Sequence, residues 1–321
     1  MKLRSLAKTI TALTISVSIL AVSQLAFAIG SFEWTTLLPT ERAEHTEAVY
    51  NGKIYLIGGI DNNLNTLGTV HAYSPSPSPY WDTSVDNLNT PRKRAASATL
   101  NGKIYVAGGY GTNYLKSCEV YDPNTNEWTP IQDLNIARQN AELVAFNNKL
   151  YCIGGDGNNG IENTVEEYNP TNNTWTIKTS RMSSPRADFS AALVSNKIYV
   201  LGGATGSTYS ATDSILEYDP ATDTWTNKST KLLAPTKNSA CAVYNGSIYL
   251  FGGYNPDTGR IHKTEVYNPS ANSIAYDQSM IYGRSHLTAA TLGGNIYVMG
   301  GRPISGYGYV IAWNQKFTPG S

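Results

Sequence analysis

The stretch Ile54-Tyr55-Leu56-Ile57-Gly58-Gly59 decides the fold, because similar stretches recur five more times along the 321 residues. The other glycine pairs are Gly108-Gly109, Gly154-Gly155, Gly202-Gly203, Gly252-Gly253 and Gly300-Gly301, each with a tyrosine three residues before its first glycine. The spacings between successive pairs are 50, 46, 48, 50 and 48 residues. A strand repeated near this period is typical of a propeller or an array. The sequence therefore predicts one repetitive all-β domain.

The repeat around Gly202-Gly203 shows four strands in one unit. A strand of mostly small residues, 189–194, follows Arg186, and the strand that ends at the glycine pair comes after a short turn. The third strand ends at Tyr218-Asp219-Pro220, because proline cannot continue a hydrogen-bonded ladder. A fourth strand contains Trp225. Small side chains suit the innermost strand, which lies near the crowded axis of a ring.

The other repeats keep this spacing, with a few departures. Arginine lies sixteen residues before the glycine pair at Arg42, Arg92, Arg138, Arg186 and Arg284, and the third-strand aromatics are Tyr73, Tyr121, Tyr168, Tyr218, Tyr267 and Trp313. The fourth-strand tryptophans are Trp81, Trp128, Trp175 and Trp225. In the fifth repeat Thr236 replaces the arginine and Ile274 replaces the tryptophan. The repeated arginines are either structural ties or ligand contacts.

The last repeat lacks a fourth strand, because few residues follow Trp313. Residues Glu33-Trp34-Thr35 read like Thr174-Trp175-Thr176, and we predict that residues 32–38 pair into the last blade. Such closure would remove the exposed edges of an open array.

These residues resemble the kelch-repeat family over essentially the whole chain after residue 28. The shared pattern is arginine, an apolar strand with Tyr-x-x-Gly-Gly, Tyr-Asp/Asn-Pro and then tryptophan. The resemblance implies a six-bladed β-propeller with four antiparallel strands per blade. It also implies partner binding on the face that carries the loops after the glycine pairs.

Residues 1–28 have the features of a secretory signal peptide. Lys2, Arg4 and Lys8 precede an apolar segment, and Ala26-Phe27-Ala28 fits a cleavage site. We expect residues 29–321 to form a single domain that is secreted or periplasmic and monomeric, without membrane insertion after cleavage. The less favoured alternative is an uncleaved anchor, for which the apolar segment is short. Without the leader, 21 basic residues face 24 acidic ones, which argues against nucleic acid as the partner.

The three cysteines, Cys118, Cys152 and Cys241, are too few and too irregular for a disulfide framework. Buried small hydrophobes are the favoured interpretation, and a bridge between Cys118 and Cys152 stays open as an alternative. Because no histidine or cysteine neighbours them at ligand spacing, we expect no metal and no cofactor.

Strand alternation places the loops after the glycine pairs and the loops before the first strands on one face. This face has the longer and more varied loops, so we expect the ligand there. The candidate ligand-binding residues are Arg94, Arg302, Tyr110, Tyr114, Tyr209, Tyr254, Asp188 and His286. Tyrosine and arginine suit hydrogen-bonded recognition and aromatic contact.

Two functions fit the sequence. The favoured one is a secreted, non-catalytic module that binds a protein or a glycan, because no nucleophile motif is evident. The alternative follows from a resemblance to bacterial sialate mutarotases, which are secreted six-bladed kelch proteins of similar size. Its acid, base and carboxylate-binding groups would come from Glu44, His45, Asp188 and His286 with Arg94 or Arg186. The sequence assigns no catalytic residue firmly.

Overall fold

The computed structural model describes residues 29–304, 306 and 308–320, so the predicted leader lies outside the described residues. Six four-stranded antiparallel sheets form six blades. The first three comprise Thr46–Tyr50, Lys53–Ile57, Val70–Ser74 and Tyr80–Asp82; Ala96–Leu100, Lys103–Ala107, Cys118–Asp122 and Glu127–Ile131; and Glu142–Phe146, Lys149–Ile153, Val165–Asn169 and Thr174–Ile177. This confirms the predicted all-β propeller.

The remaining blades have the same order of strands from the axis outward. They comprise Ser190–Val194, Lys197–Leu201, Ser214–Asp219 and Thr224–Lys231; Ala240–Tyr244, Ser247–Phe251, Thr264–Asn268 and Ser273–Asp277; and Thr288–Leu292, Asn295–Met299, Asn314–Thr318 and Ser31–Trp34. The innermost strands of neighbouring blades contact one another, including those of the first and sixth blades. The blades therefore form a closed ring around an axial channel.

The N-terminal strand closes the ring, as predicted, but with a different register. Phe32 pairs with Phe317, and Phe317 pairs with Ile296, as Tyr73 pairs with Ile54 in the first blade. The third-strand aromatic of the sixth blade is therefore Phe317, and the prediction of Trp313 was wrong. The fourth-strand position is filled by Phe32 and not by Trp34.

Aromatic pairs and a turn define the outer half of the second, third and fourth blades. Tyr121 and Trp128 lie on adjacent strands with ring centroids 5.2 Å apart. The hydroxyl of Tyr121 donates to the side chain of Asn126, five residues later, at 2.7 Å. Asn126 has a left-handed backbone, which asparagine tolerates better than most residues. The same tyrosine-to-turn bond recurs in the third, fourth and fifth blades.

The repeated arginines are structural. The guanidinium of Arg92 donates to the carbonyl oxygens of Gly108 and Ser117 at 2.7 Å each, and to Glu119 at 2.6 Å. These bonds stay within one blade, while the main-chain carbonyl of Arg92 accepts from Gly59 of the preceding blade at 2.9 Å. All five arginines are at most 2% exposed. Their side chains are therefore too deeply buried to contact a surface ligand.

The three cysteines are free thiols, and Cys118 and Cys152 pack in one hydrophobic cluster. The buried-hydrophobe interpretation is confirmed for these two, whereas Cys241 is half-buried beside the channel. Over the residues described, we find no helix with the length and apolarity that a membrane crossing requires.

Candidate functional site

Six residues, one per blade, surround the channel on the face of the glycine pairs. We call them the mouth ring: Glu44, Arg94, Asn140, Asp188, Asn238 and His286. Each backbone N–H donates to the carbonyl oxygen of the preceding member, with N···O distances of 2.7–3.2 Å. These six hydrogen bonds form a closed circle around the channel. The ring therefore joins all six blades through their backbones.

Every member of the mouth ring has a left-handed backbone, with φ between 53° and 56°. This conformation suits asparagine and aspartate but is unusual for glutamate, arginine and histidine. Each such residue costs on the order of 1 kcal/mol, and residues of this kind concentrate at ligand sites. Sequence reasoning missed Asn238, although it lies two residues after Thr236, as Arg94 lies two residues after Arg92.

The mouth ring lines a cavity of about 90 Å³, together with His45, Glu142 and Phe189. This volume holds several water molecules or part of a small polar ligand. We call it the mouth cavity. Of the predicted ligand-binding residues, Arg94, Asp188 and His286 line it directly, and so do Glu44 and His45, the candidate acid and base groups of the alternative function.

Glu44 forms ion pairs with two arginines beside this cavity. It is 4% exposed and accepts hydrogen bonds from Nε and Nη2 of Arg94 at 2.8 and 2.9 Å, and Arg302 also forms an ion pair with it. Burial opposes ionisation, but Arg94, with smaller effects of His286 and Arg302, lowers the pKa of Glu44 to about 2. Glu44 therefore holds both predicted arginines. Arg94 lines the cavity itself, whereas Arg302 contacts Glu44, which lines it.

The other ionisable members of the ring titrate nearer neutrality or stay uncharged. Burial raises the pKa of Asp188 to about 6, although the charge of Arg94 partly offsets this effect. Burial lowers the pKa of His286 to about 3, so the imidazole is neutral at pH 7. His45 is also neutral, because burial and then the charge of Arg42 lower its pKa.

Two carboxyl groups that sequence reasoning missed lie at the floor. Glu142 lines both the mouth cavity and a deeper cavity of about 110 Å³, and Glu47 lines the deeper one. Burial raises the pKa of Glu142 to about 8, and burial with the nearby Glu142 raises that of Glu47. An acidic residue inside an otherwise apolar innermost strand is the sequence signal that could have found them. At pH 7 Glu142 is a neutral hydrogen-bond donor.

The predicted tyrosines lie beside the cavity and not within it. Tyr110 and Tyr114 pack edge to face, with centroids 5.4 Å apart. Tyr114 and Tyr209 both interact with Asp156, a residue that the sequence places on the loop face. The backbone of Tyr254 forms an isolated antiparallel β-bridge with Lys237 at the rim of the fifth blade. Arg186 is an internal tie, because it donates to the carbonyl oxygen of Gly202 at 2.7 Å, so it is not the arginine of the mouth.

Comparisons with known proteins agree with this architecture. The Kelch motif profile matches residues 41–78 and 91–135, and the Attractin/LZTR1 beta-propeller profile matches residues 150–307. No curated protein matches the sequence. A solved structure described as "Structure of YjhT" superposes with a TM-score of 0.76 at 15% identity, covering 87% of this chain and 95% of that one. At this identity the likeness concerns the fold alone. The profile matches and the six blades show that the chain belongs to the kelch-repeat β-propeller family.

Proposed function

We propose that the protein is a binding module that takes a glycan into the mouth cavity. The observation that carries the proposal is the ring of six polar residues, all held in the left-handed conformation around one cavity. Such a ring presents fixed donors and acceptors, so little conformational freedom is lost when a ligand binds. A recessed polar cavity is better suited to bind the hydroxyl groups of a sugar than to bind the flat surface of a partner protein.

The charges of the ring favour a ligand with many hydroxyl groups over a strongly charged one. Arg94 and Arg302 are both paired with Glu44, and Asp188 lies opposite as a weakly acidic carboxyl group. Asn140 and Asn238 add amide groups that can both donate and accept. Nucleic acid would need a basic surface, which the near-neutral composition does not supply.

A glycan array followed by calorimetry tests this proposal. Asn238→Gly removes an amide from the cavity while glycine still accepts the left-handed backbone. We expect the variant to melt within a few degrees of the wild type and to lose most of its binding to any array hit. The matched control is Asn101→Gly, which changes another left-handed asparagine in a hairpin turn at the opposite end of the propeller. Equal affinity of Asn238→Gly and wild type would contradict the proposal.

We also propose that the protein is secreted or periplasmic, on the basis of residues 1–28. Cell fractionation and the intact mass of the exported protein test this proposal. The expected N-terminus is Ile29. A mature protein that retains residues 1–28 would contradict it.

A second function, sugar mutarotation, is supported by one feature of the cavity. Asp188, with a pKa of about 6, and neutral Glu142 both line it, which supplies a base and an acid. Asp188 would take the proton of the anomeric hydroxyl while Glu142 protonates the ring oxygen. The ring would then open to the carbonyl form and reclose on either face. NMR exchange of the anomers of N-acetylneuraminic acid tests this function, and rates unchanged by the protein would contradict it.

A further inference from the structure

Among the described residues, a group of side chains beside the mouth cavity has no counterpart in the other blades. Its centre is Asp156, the residue that directly follows the third glycine pair and is 2% exposed. The equivalent positions hold Ile60, Tyr110, Ala204, Tyr254 and Arg302. Asp156 Oδ2 accepts from Gln139 Nε2 at 3.0 Å, and Oδ1 accepts from Asn140 Nδ2 at 2.8 Å. Asp156 is therefore bonded to a member of the mouth ring.

Two tyrosines from different blades converge on this carboxylate. Tyr114 comes from the loop of the second blade and Tyr209 from the loop of the fourth. Burial, then the charge of Asp156 and a hydrogen bond to it, raises the pKa of both hydroxyl groups. The hydroxyl groups of both tyrosines therefore meet at Asp156, which is bonded to Asn140 of the mouth ring.

Both tyrosines are held in place by contacts of their own. Tyr110 packs edge to face against Tyr114, and the ammonium group of Lys93 lies 5.7 Å from the centroid of Tyr110. Tyr209 has a left-handed backbone with φ of 52°, and its carbonyl oxygen accepts from Lys237 Nζ at 2.7 Å. Strain of this kind in a non-glycine residue is typical of ligand sites.

One buried acceptor atom in this group lacks a hydrogen-bond donor among the described residues. Gln139 is 8% exposed, and among the described residues its buried Oε1 has no hydrogen-bond partner. A buried acceptor without a partner is unfavourable, so a movement of the Gln139 side chain that lets Oε1 accept from a ligand hydroxyl would remove this penalty. Pyranose rings combine hydroxyl donors with apolar C–H faces, and tyrosine side chains combine an aromatic face with a polar end.

We propose that Tyr114, Tyr209 and Gln139 form a second subsite, which takes the neighbouring sugar of a glycan whose first sugar occupies the mouth cavity. This proposal rests on the proposed function. Asp156 is its positioning residue, because it holds the tyrosines and the amides. The ligand is then at least a disaccharide that extends over the second to fourth blades.

Calorimetry with pairs of sugars tests the second subsite: glucose and cellobiose, galactose and lactose, N-acetylglucosamine and N,N′-diacetylchitobiose, N-acetylneuraminic acid and 3′-sialyllactose. For the pair that binds, we expect the longer sugar to bind wild type about tenfold more tightly than the monosaccharide. The variant Tyr114→Ala/Tyr209→Ala should lose this difference and keep its affinity for the monosaccharide. Tyr209→Phe, which keeps the ring, should retain part of the difference. Tyr80→Ala, an exposed tyrosine of the first blade, is the control and should behave as wild type.

The outcomes separate the two proposals. A wild-type protein that binds both members of a pair equally would overturn the second subsite but leave the mouth cavity as a sugar site. A double variant that keeps the full preference for the longer sugar would likewise overturn the second subsite and leave the mouth cavity as a sugar site. Absence of binding to any of the eight sugars and to the array would overturn the proposed function and the subsite with it. Melting curves of all variants establish that each is folded.

Discussion

Replacing Glu142 by glutamine should stabilise the propeller, and the gain should depend on pH. Glu142 lies deep in the axial channel, where burial raises the pKa of its carboxyl group to about 8, against an ordinary value of 4.5. The folded protein therefore binds a proton that the unfolded chain releases above pH 4.5. The stability that this proton supports is fully present below pH 4.5 and is lost as the pH rises through about 8.

The size of the effect follows from the two pKa values. Between pH 4.5 and pH 7 the folded state loses roughly 3 kcal/mol relative to a neutral side chain, at about 1.4 kcal/mol per pH unit. Channel water beside the carboxyl group reduces this figure, so we expect a gain of about 1–3 kcal/mol for Glu142→Gln at pH 7. Glutamine has the shape of the protonated acid and cannot ionise.

Urea unfolding of wild type and Glu142→Gln at pH 4, 7 and 9 measures the effect. We expect equal stability at pH 4, a clear gain at pH 7 and the largest gain at pH 9. Glu127→Gln, on an exposed outer strand, is the matched control and should show little change. A Glu142→Gln protein with the same stability difference at all three pH values, or one less stable than wild type at pH 9, would refute the reasoning.

Three further predictions concern the scaffold. Deletion of residues 31–38 removes the strand that closes the ring, so the melting temperature measured by circular dichroism should fall by more than about 10 °C; an unchanged value would contradict closure. Arg138→Ala leaves the buried carboxylate of Glu166 without its guanidinium, and denaturant titration should show a loss of about 3–5 kcal/mol; a loss under 1 kcal/mol would contradict a structural role. Ile274→Trp restores the aromatic that the fifth blade lacks, beside a cavity of about 110 Å³, and calorimetry should show a gain of about 1 kcal/mol; destabilisation would mean that the cavity cannot take an indole.

The glycine pairs predict the number of blades, and the distance to the third-strand aromatic explains the one error of register. Tyr121 lies 13 residues after Gly108 and Tyr218 lies 16 after Gly202. Trp313 lies 13 residues after Gly300 and Phe317 lies 17 after it, so both are near the spacings of the other repeats. The pairing of Phe317 with Ile296 in the structure shows that Phe317 is the third-strand aromatic, and this pairing cannot be read from the sequence.

The candidate site was only partly predictable, because it consists of residues that do not repeat. Arg94, Asp188 and His286 could be found from their fixed distance to the preceding arginine position or from their place on the loop face. The roles of Glu142 and Asp156 could not be assigned, since they depend on burial and on neighbours that only the fold brings together. Contacts between side chains that do not repeat are set by the closed ring and not by local sequence.

The claim that the mouth ring is the ligand site is tested most directly by a crystal structure of the protein with its best glycan-array hit. We predict sugar density in the mouth cavity, with hydroxyl groups hydrogen-bonded to Asn238, Asp188 and Arg94. Density for the glycan at the opposite end of the channel or on an outer strand, with only water inside the ring, would contradict the claim.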